Sequence, residues 1–259
     1  MTVQTGVEPL FSVRNLTKIF PMGNTDTTAL GGINLDIYPG ESLVIAGSNG
    51  SGKTIFMRIL AGLLEPSGGE ILFRGERLKK AARALRASVG LVFQDADAQL
   101  IGETIREDVA FGPKNLGFSK AECIEKVEYA LKAMGLADKG DYLSRRLSGG
   151  EKRRLAVAGV LAMGCDTVMM DEPFANLDWP GVVQVLEIIR ELKKRGTVII
   201  LTHELEKVLA LAGRLVILHK GLIRDDGAPD AVLDRLNGEY GVRDPRRSCL
   251  SAADCTWLD

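Results

Sequence analysis

The feature that most constrains this 259-residue chain is the run GSNGSGKT, Gly47 to Thr54. It follows the apolar run SLVIA and precedes TIFMRILAGLL, where Phe56, Ile59, Leu60 and Leu63 recur near helical spacing until Pro66 and Gly68-Gly69 stop them. A strand therefore enters a glycine-rich turn, and the turn opens a helix. In that setting the pattern G-x-x-x-x-G-K-[ST] is a phosphate cradle. Glycines let successive backbone N–H groups face inward, and the helix dipole adds positive potential where an anion sits. Gly47, Ser48, Asn49, Gly50, Ser51 and Gly52 would line the cradle. Lys53 would reach the β- and γ-phosphates, and Thr54 would offer its hydroxyl to Mg2+. The plainer reading is a glycine turn before a helix, and the flanking strand and helix favour the cradle.

Around this loop the chain alternates. Strand-like runs come at LFSVRNL from Leu10, at GINLDIYPGESLVIAG with a break at Pro39-Gly40, at EILFRG and at SVGLVFQ. From about 95 to 158 the pattern turns helical. Ser119 and Glu122 form a capping box there, and Ile124, Val127, Leu131 and Met134 form one apolar stripe. Strands return at DTVMMD, GTVIILT and RLVILHKG, with the amphipathic helix VVQVLEIIRELKKRG between the first two. This order predicts an α/β fold, a largely parallel sheet covered on both faces, with a helical lobe inserted at about 95–158. One domain should span about 10–235, and residues 236–259 carry no pattern of their own.

The net charge of −1 gives no general drive toward nucleic acid or anionic lipid. The stretch RGERLKKAARALRA holds six basic residues against one acid, and a solvated face is its plainer reading. Cys123, Cys165, Cys249 and Cys255 show neither metal-ligand spacing nor a dense framework, which suits reduced thiols in a cytosol. The start MTVQTGVEPL has no charged end and no apolar core, so no signal peptide is expected. LAVAGVLAMG, the longest apolar stretch, is about half of what a bilayer crossing needs and predicts a buried helix. Any membrane role would need another protein to do the spanning.

VMMDEP ends a buried strand with Asp171 and Glu172, at the edge where ligands of open α/β sheets bind. Asp171 could hold Mg2+ directly or through water, and Glu172 could orient or deprotonate the attacking water. Two acids that cap the next helix are the plainer alternative. His203 ends the run GTVIILTH, parallel to the strand of Asp171, and could reach the γ-phosphate side. Gln94 closes SVGLVFQ, where its amide could touch Mg2+ or the water. His219 in LVILHKG is expected in a turn.

A second glycine stretch, LSGGE at 147–151, precedes the helix EKRRLAVAGVLAM. Ser148 and Glu151 satisfy a capping box, which would be a sufficient account. A capping box does not need Gly149 and Gly150 between its ends, however, and bare N–H groups at a helix start form another anion site. One cradle already wraps one triphosphate. The second site would then serve a second copy, with two chains head to tail and ATP between them.

Taken together, these motifs resemble an ATP-binding cassette (ABC) ATPase over about residues 10–235. GSNGSGKT resembles its Walker A, Gln94 its Q-loop, LSGGE its signature, VMMDE its Walker B, ANLD at 175–178 its D-loop and His203 its switch histidine. The resemblance implies a P-loop NTPase core of RecA-like type, an N-terminal antiparallel β subdomain and an inserted α-helical subdomain. It implies ATP and Mg2+, with Phe20 of KIFP stacking on adenine. It places Ser148, Gly149, Gly150 and Asp178 against the ATP of a second ATPase protomer, whether a second copy or a sister chain. QDADAQLIGETIREDVAFGPKNLG is similar to the stretch after the Q-loop in energy-coupling factor (ECF) importers. Asp95-Ala96-Asp97-Ala98 stands where that class has Asn-Pro-Asp-Asp. Membership in the class implies a transmembrane coupling protein and a small substrate-capturing membrane protein as partners, gripped near 94–112. It also implies work at the cytoplasmic face of the membrane on a metal ion or vitamin. The rival class, soluble ABC proteins acting on nucleic acid or ribosomes, carries long coiled coils or paired cassettes. Neither pattern occurs in this sequence, so no nucleic-acid partner is expected.

Overall fold

The structure, a computed structural model, describes residues 7–23 and 25–246. Its strands divide between two sheets. β1 (Phe11–Met22), β2 (Thr25–Ile37), β4 (Gly68–Phe73) and β5 (Glu76–Arg77) form an antiparallel sheet in the order β2-β1-β4-β5. β3 (Ser42–Ala46), β6 (Val89–Val92), β7 (Thr167–Asp171), β8 (Thr197–Thr202), β9 (Arg214–His219) and β10 (Leu222–Gly227) form the second, in the order β10-β9-β3-β8-β7-β6. Its strands are parallel except for β10, which turns back on β9. Every residue of β3, β7 and β8 is buried, as expected of parallel strands covered on both faces.

Strand alternation sorts the core into two clusters. Leu43, Ile45, Met169, Ile199 and Leu201 face α1 (Lys53–Leu60) and the antiparallel sheet. Val44, Val168, Met170, Val198 and Ile200 face α5 (Gly149–Met163) and α6 (Trp179–Arg195). The apolar part of α5, Leu155 to Ala162, is buried as the sequence predicts. The lobe beyond it adds α3 (Ile105–Asn115) and α4 (Lys120–Ala133). Among the described residues no helix is long and apolar enough to cross a membrane.

Three local expectations shift. The α1 stripe does not reach Leu63, which is 57% exposed. Gly62, with φ +69, ends the helix in the left-handed position, so the stop comes before Pro66, and Gly68-Gly69 open β4 instead. In α4 the Ser119–Glu122 capping box is present, but Ile124 is 55% exposed. The buried stripe runs through Cys123, Val127, Leu131 and Met134, one position round the helix, because Cys packs as a small hydrophobe. His219 is the last residue of β9, and the turn itself is Lys220-Gly221, both at positive φ as a tight hairpin demands. The six basic side chains of RGERLKKAARALRA are all exposed, around α2 (Ala82–Ser88). Cys123 and Cys165 are free thiols, and burial pushes the Cys165 thiol up to about 11, which makes it inert. Cys249 and Cys255 lie outside the described residues.

The shifted stripe is measurable. Leu131→Ala should cost about 2–5 kcal/mol, as for a large-to-small change in a packed core. Ile124→Ala should stay within about 0.5 kcal/mol. Chemical denaturation of the two variants checks the pair, and a large loss for Ile124→Ala would restore the unshifted stripe.

Candidate functional site

The phosphate loop leaves the end of β3 and is held on several sides. A Cβ on Gly47 would lie 2.2 Å from the Leu218 carbonyl oxygen of β9, so only glycine fits there. Gly52 has φ +105 and would place a Cβ 2.8 Å from the Ala29 carbonyl oxygen of β2. Gly221 of the β9–β10 turn donates its N–H to the Ser51 carbonyl at 2.9 Å. The segment after residue 235 adds a further brace. Val242 is buried in the core, Tyr240 packs on His219, and the Cβ of Ser48 is the nearest atom, at 3.0 Å, to a Cβ placed on Gly241.

Lys53, 5% exposed, folds back over this loop and donates to the carbonyls of Gly47 at 2.7 Å and Ser48 at 3.2 Å. Its Nζ also stands 3.5 Å from Glu172 Oε1. Parallel pairing explains the meeting. Ala46 of β3 pairs with Thr202 of β8, and Asp171 of β7 pairs with Leu201, so the three strands end on one line.

Thr54 Oγ1 donates to Asp171 Oδ2 at 2.7 Å. Asp171 is 1% exposed and its Oδ1 has no partner. Burial pushes its carboxyl above the usual carboxylate range, against the hydrogen bond from Thr54. Glu172 is 3% exposed and sits at φ +47, a left-handed conformation that costs a non-glycine residue energy. Its Oε2 accepts from Thr202 Oγ1 at 3.0 Å, and its Oε1 lies 2.9 Å from His203 Nδ1. An ionised carboxylate only accepts, so in this contact Nδ1 is the donor. A buried carboxyl oxygen without a partner beside a threonine hydroxyl fits a hard divalent cation such as Mg2+, which oxygen ligands hold.

Lys53 and His203 thus meet on Glu172, and the neighbouring pair Thr54 and Asp171 meet each other beside them. Gln94, Phe20, Ser148 and Asp178 stand outside that cluster. Gln94 lies two residues beyond β6, exposed in a loop, next to the strand that carries Asp171. The strand ends at Val92, and the Gln99 side chain accepts from the Phe93 N–H at 2.9 Å and donates to the Leu91 carbonyl at 2.8 Å. Phe20 is half-buried on the antiparallel sheet with Lys18 Nζ 5.0 Å from its ring centre.

Ser148 is exposed and caps α5. Its N–H and hydroxyl meet Glu151 Oε2 at 2.8 and 2.9 Å, and its Oγ accepts from Glu151 N–H at 3.3 Å. The capping box is therefore real, and it involves Ser148 and Glu151 only. Gly149 faces open space, and a Cβ on Gly150 would come 3.3 Å from the Asn176 carbonyl, so the two short loops pack together. Asp178 Oδ1 caps α6 by accepting from Gly181 N–H at 3.0 Å.

Sequence reasoning missed three residues here. Thr202, fully buried, holds Glu172, and a polar β-branched residue closing a strand beside His203 was the available signal. Arg153, 2% exposed, donates to the Phe93 and Gln94 carbonyls, and nothing in the run EKRR marks it as buried. Trp179, 76% exposed, directly follows Asp178.

The sequence profile of the family described as ABC transporter matches residues 30–175. The chain is 41% identical over 243 residues to the cobalt import ATP-binding protein CbiO of Rhodobacter capsulatus, which covers 92% of this chain and 86% of the relative. It is 40% identical over 219 residues to the energy-coupling factor transporter ATP-binding protein EcfA1 of Bacillus subtilis, covering 83% of this chain and 77% of the relative. Among solved structures it is similar to the dimeric ATP-binding cassette MJ0796 bound to ADP and Pi. That likeness has a TM-score of 0.78 and 26% identity, and covers 85% of this chain and 98% of the other.

The signature cap gives a pH prediction. Lys139 first, then the Ser148 N–H, pull Glu151 down from 4.5 to about 2. A depressed carboxylate stabilises the fold above its unfolded value, and that stabilisation fades as pH falls toward the folded value. Carboxyl NMR should find Glu151 still ionised at about pH 3.5, and Lys139→Ala should raise its midpoint toward that of a free glutamate. A wild-type midpoint near 4.5 would contradict the cap geometry.

Proposed function

This chain belongs to the ABC transporter family as an ATP-binding, ATP-hydrolysing subunit, and from that premise we propose that it powers a micronutrient importer of the ECF class by closing, with a second ATPase protomer, either a copy of itself or a sister chain, around ATP. The observation that carries the hydrolytic half of this reading is the meeting at one sheet edge of buried Lys53, Asp171 and Glu172 with half-buried Thr54 and exposed His203. What supports a second protomer is that Ser148 and Gly149 stand exposed on a different loop of the same chain, outside that set.

In this reading the N–H groups of Gly47, Ser48, Asn49, Gly50, Ser51 and Gly52 bind the phosphates, and Phe20 stacks on adenine. Thr54, Asp171 and Gln94 hold Mg2+, which neutralises phosphate charge. Lys53 leaves Glu172 for the β- and γ-phosphates, a denser anion. Glu172, still held by Thr202, then takes the proton of the attacking water, and His203 contacts the γ-phosphate. The partner's contribution comes from its own Ser148, Gly149, Gly150 and Asp178. Exposed Trp179, adjoining Asp178, extends that contact surface.

Transport needs a membrane protein to be gripped. Ile101, Phe111 and Tyr142, exposed at 65%, 46% and 58%, lie in or beside the 94–112 segment and offer an apolar surface for a coupling protein. That protein and a substrate-capturing membrane protein would hold this chain at the cytoplasmic face. A soluble role on nucleic acid is not favoured, because the relatives are transporter subunits.

Glu172→Gln should keep ATP binding and lower turnover about a hundredfold or more, so that ATP-locked dimers accumulate in gel filtration. Ser148→Arg should leave ATP binding by the monomer nearly intact while abolishing those dimers. Unchanged hydrolysis in the first variant would remove Glu172 from its role, and normal ATP-dependent dimers in the second would return LSGGE to a helix cap alone.

A further inference from the structure

Arg153 is a buried cation that the reaction above does not use. It is 2% exposed on α5, five residues after Ser148. Its Nη1 donates to the Phe93 carbonyl and its Nη2 to the Gln94 carbonyl, so one planar fork grips two successive carbonyls. Lys152 next to it pairs with Asp97, farther along the same loop. Loop 93–97 is thereby pinned to the helix that opens at Ser148.

A neutral donor could satisfy two carbonyls, whereas a buried full charge is costly unless opposite charges face it. The charges that face Arg153 are Asp171, Asp95 and Glu172, and its Nε has no partner. The guanidinium therefore stands between three parts of the molecule: the first turns of α5, the backbone of Gln94, and the field of the carboxylates at the end of β7.

We infer that Arg153 is a positioning residue that makes Gln94 move with the signature helix, so that closing Ser148 onto the partner's ATP and placing Gln94 in the chain's own ATP site are one motion. This rests on the two-protomer reading proposed above. Through Arg153 each ATP site would report its closure to the other. Lys carries the charge as a single point without the planar two-nitrogen fork, so Arg153→Lys should retain the charge and only part of the effect.

The test is a double-mutant cycle on the full chain with Arg153→Met and Gln94→Ala. Arg153→Met should bind a fluorescent ATP analogue as a monomer within about twofold of wild type and lower kcat about tenfold, with Arg153→Lys between the two. The double variant should be no slower than the slower single variant, because Arg153 acts through Gln94. Without nucleotide, amide exchange should rise at residues 93–97 in Arg153→Met and stay unchanged along β7.

Multiplicative losses in the cycle, or wild-type kcat in Arg153→Met, would overturn the proposal. Loss of analogue binding in both the Met and Lys variants would also overturn it, making Arg153 a folding residue. Failure of the sandwich itself would show separately, as the absence of ATP-locked dimers in Glu172→Gln with Arg153 intact.

Discussion

The structure depends on the parallel alignment of β3, β8 and β7. Each strand ends at the same level, and whatever follows each one is delivered to one small volume: the phosphate loop after β3, His203 after β8, Glu172 after β7. Lys53 and Glu172, both almost fully buried, then stand 3.5 Å apart. Removing two such charges from water is expensive, and an ion pair at this distance offsets the cost only in part. Here the hydrogen bonds from Thr202 and to the Gly47 and Ser48 carbonyls make up the difference. A site built this way keeps its carboxylate and its cation assembled before any phosphate arrives.

The same alignment explains why the chain needs a counterpart. The hydrolytic residues point to one edge, and the second glycine stretch sits on a lobe of its own, capped by Glu151 and packed on the loop before Asp178. Ser148 serves the cap with its hydroxyl, yet the open side of Gly149 is unhindered. One loop therefore carries a structural role and leaves room for a second one, which is the condition for a surface that closes on another protomer's nucleotide.

Much of this was legible in the sequence because it is written in short runs. GSNGSGKT and VMMDE are contiguous, each ends an apolar strand, and the strand order supplies their meeting. Other features depend on what packs where. The α4 stripe follows Cys123 and not Ile124, a choice between neighbouring residues that periodicity resolves poorly when a cysteine competes. In the sequence Gln94 reads as the end of a strand, but β6 stops at Val92 and the next N–H, of Phe93, goes to the Gln99 side chain. Arg153 could not be recognised as buried, since a cation within EKRR ordinarily faces water and only the folded chain brings the Gln94 carbonyl to it. The brace from Gly241 to Ser48 joins residues far apart in the chain, beyond the reach of any local pattern.

The central claim is that each ATP is completed by two chains, one giving Lys53 and the other Ser148. Mixing tests it most directly. Lys53→Ala and Ser148→Arg proteins should each be inactive alone. Combined, they should form a mixed dimer in which the Lys53 of one chain meets the Ser148 of the other, and part of the wild-type ATPase rate should return. Turnover no higher in the mixture than in either parent would contradict the shared site.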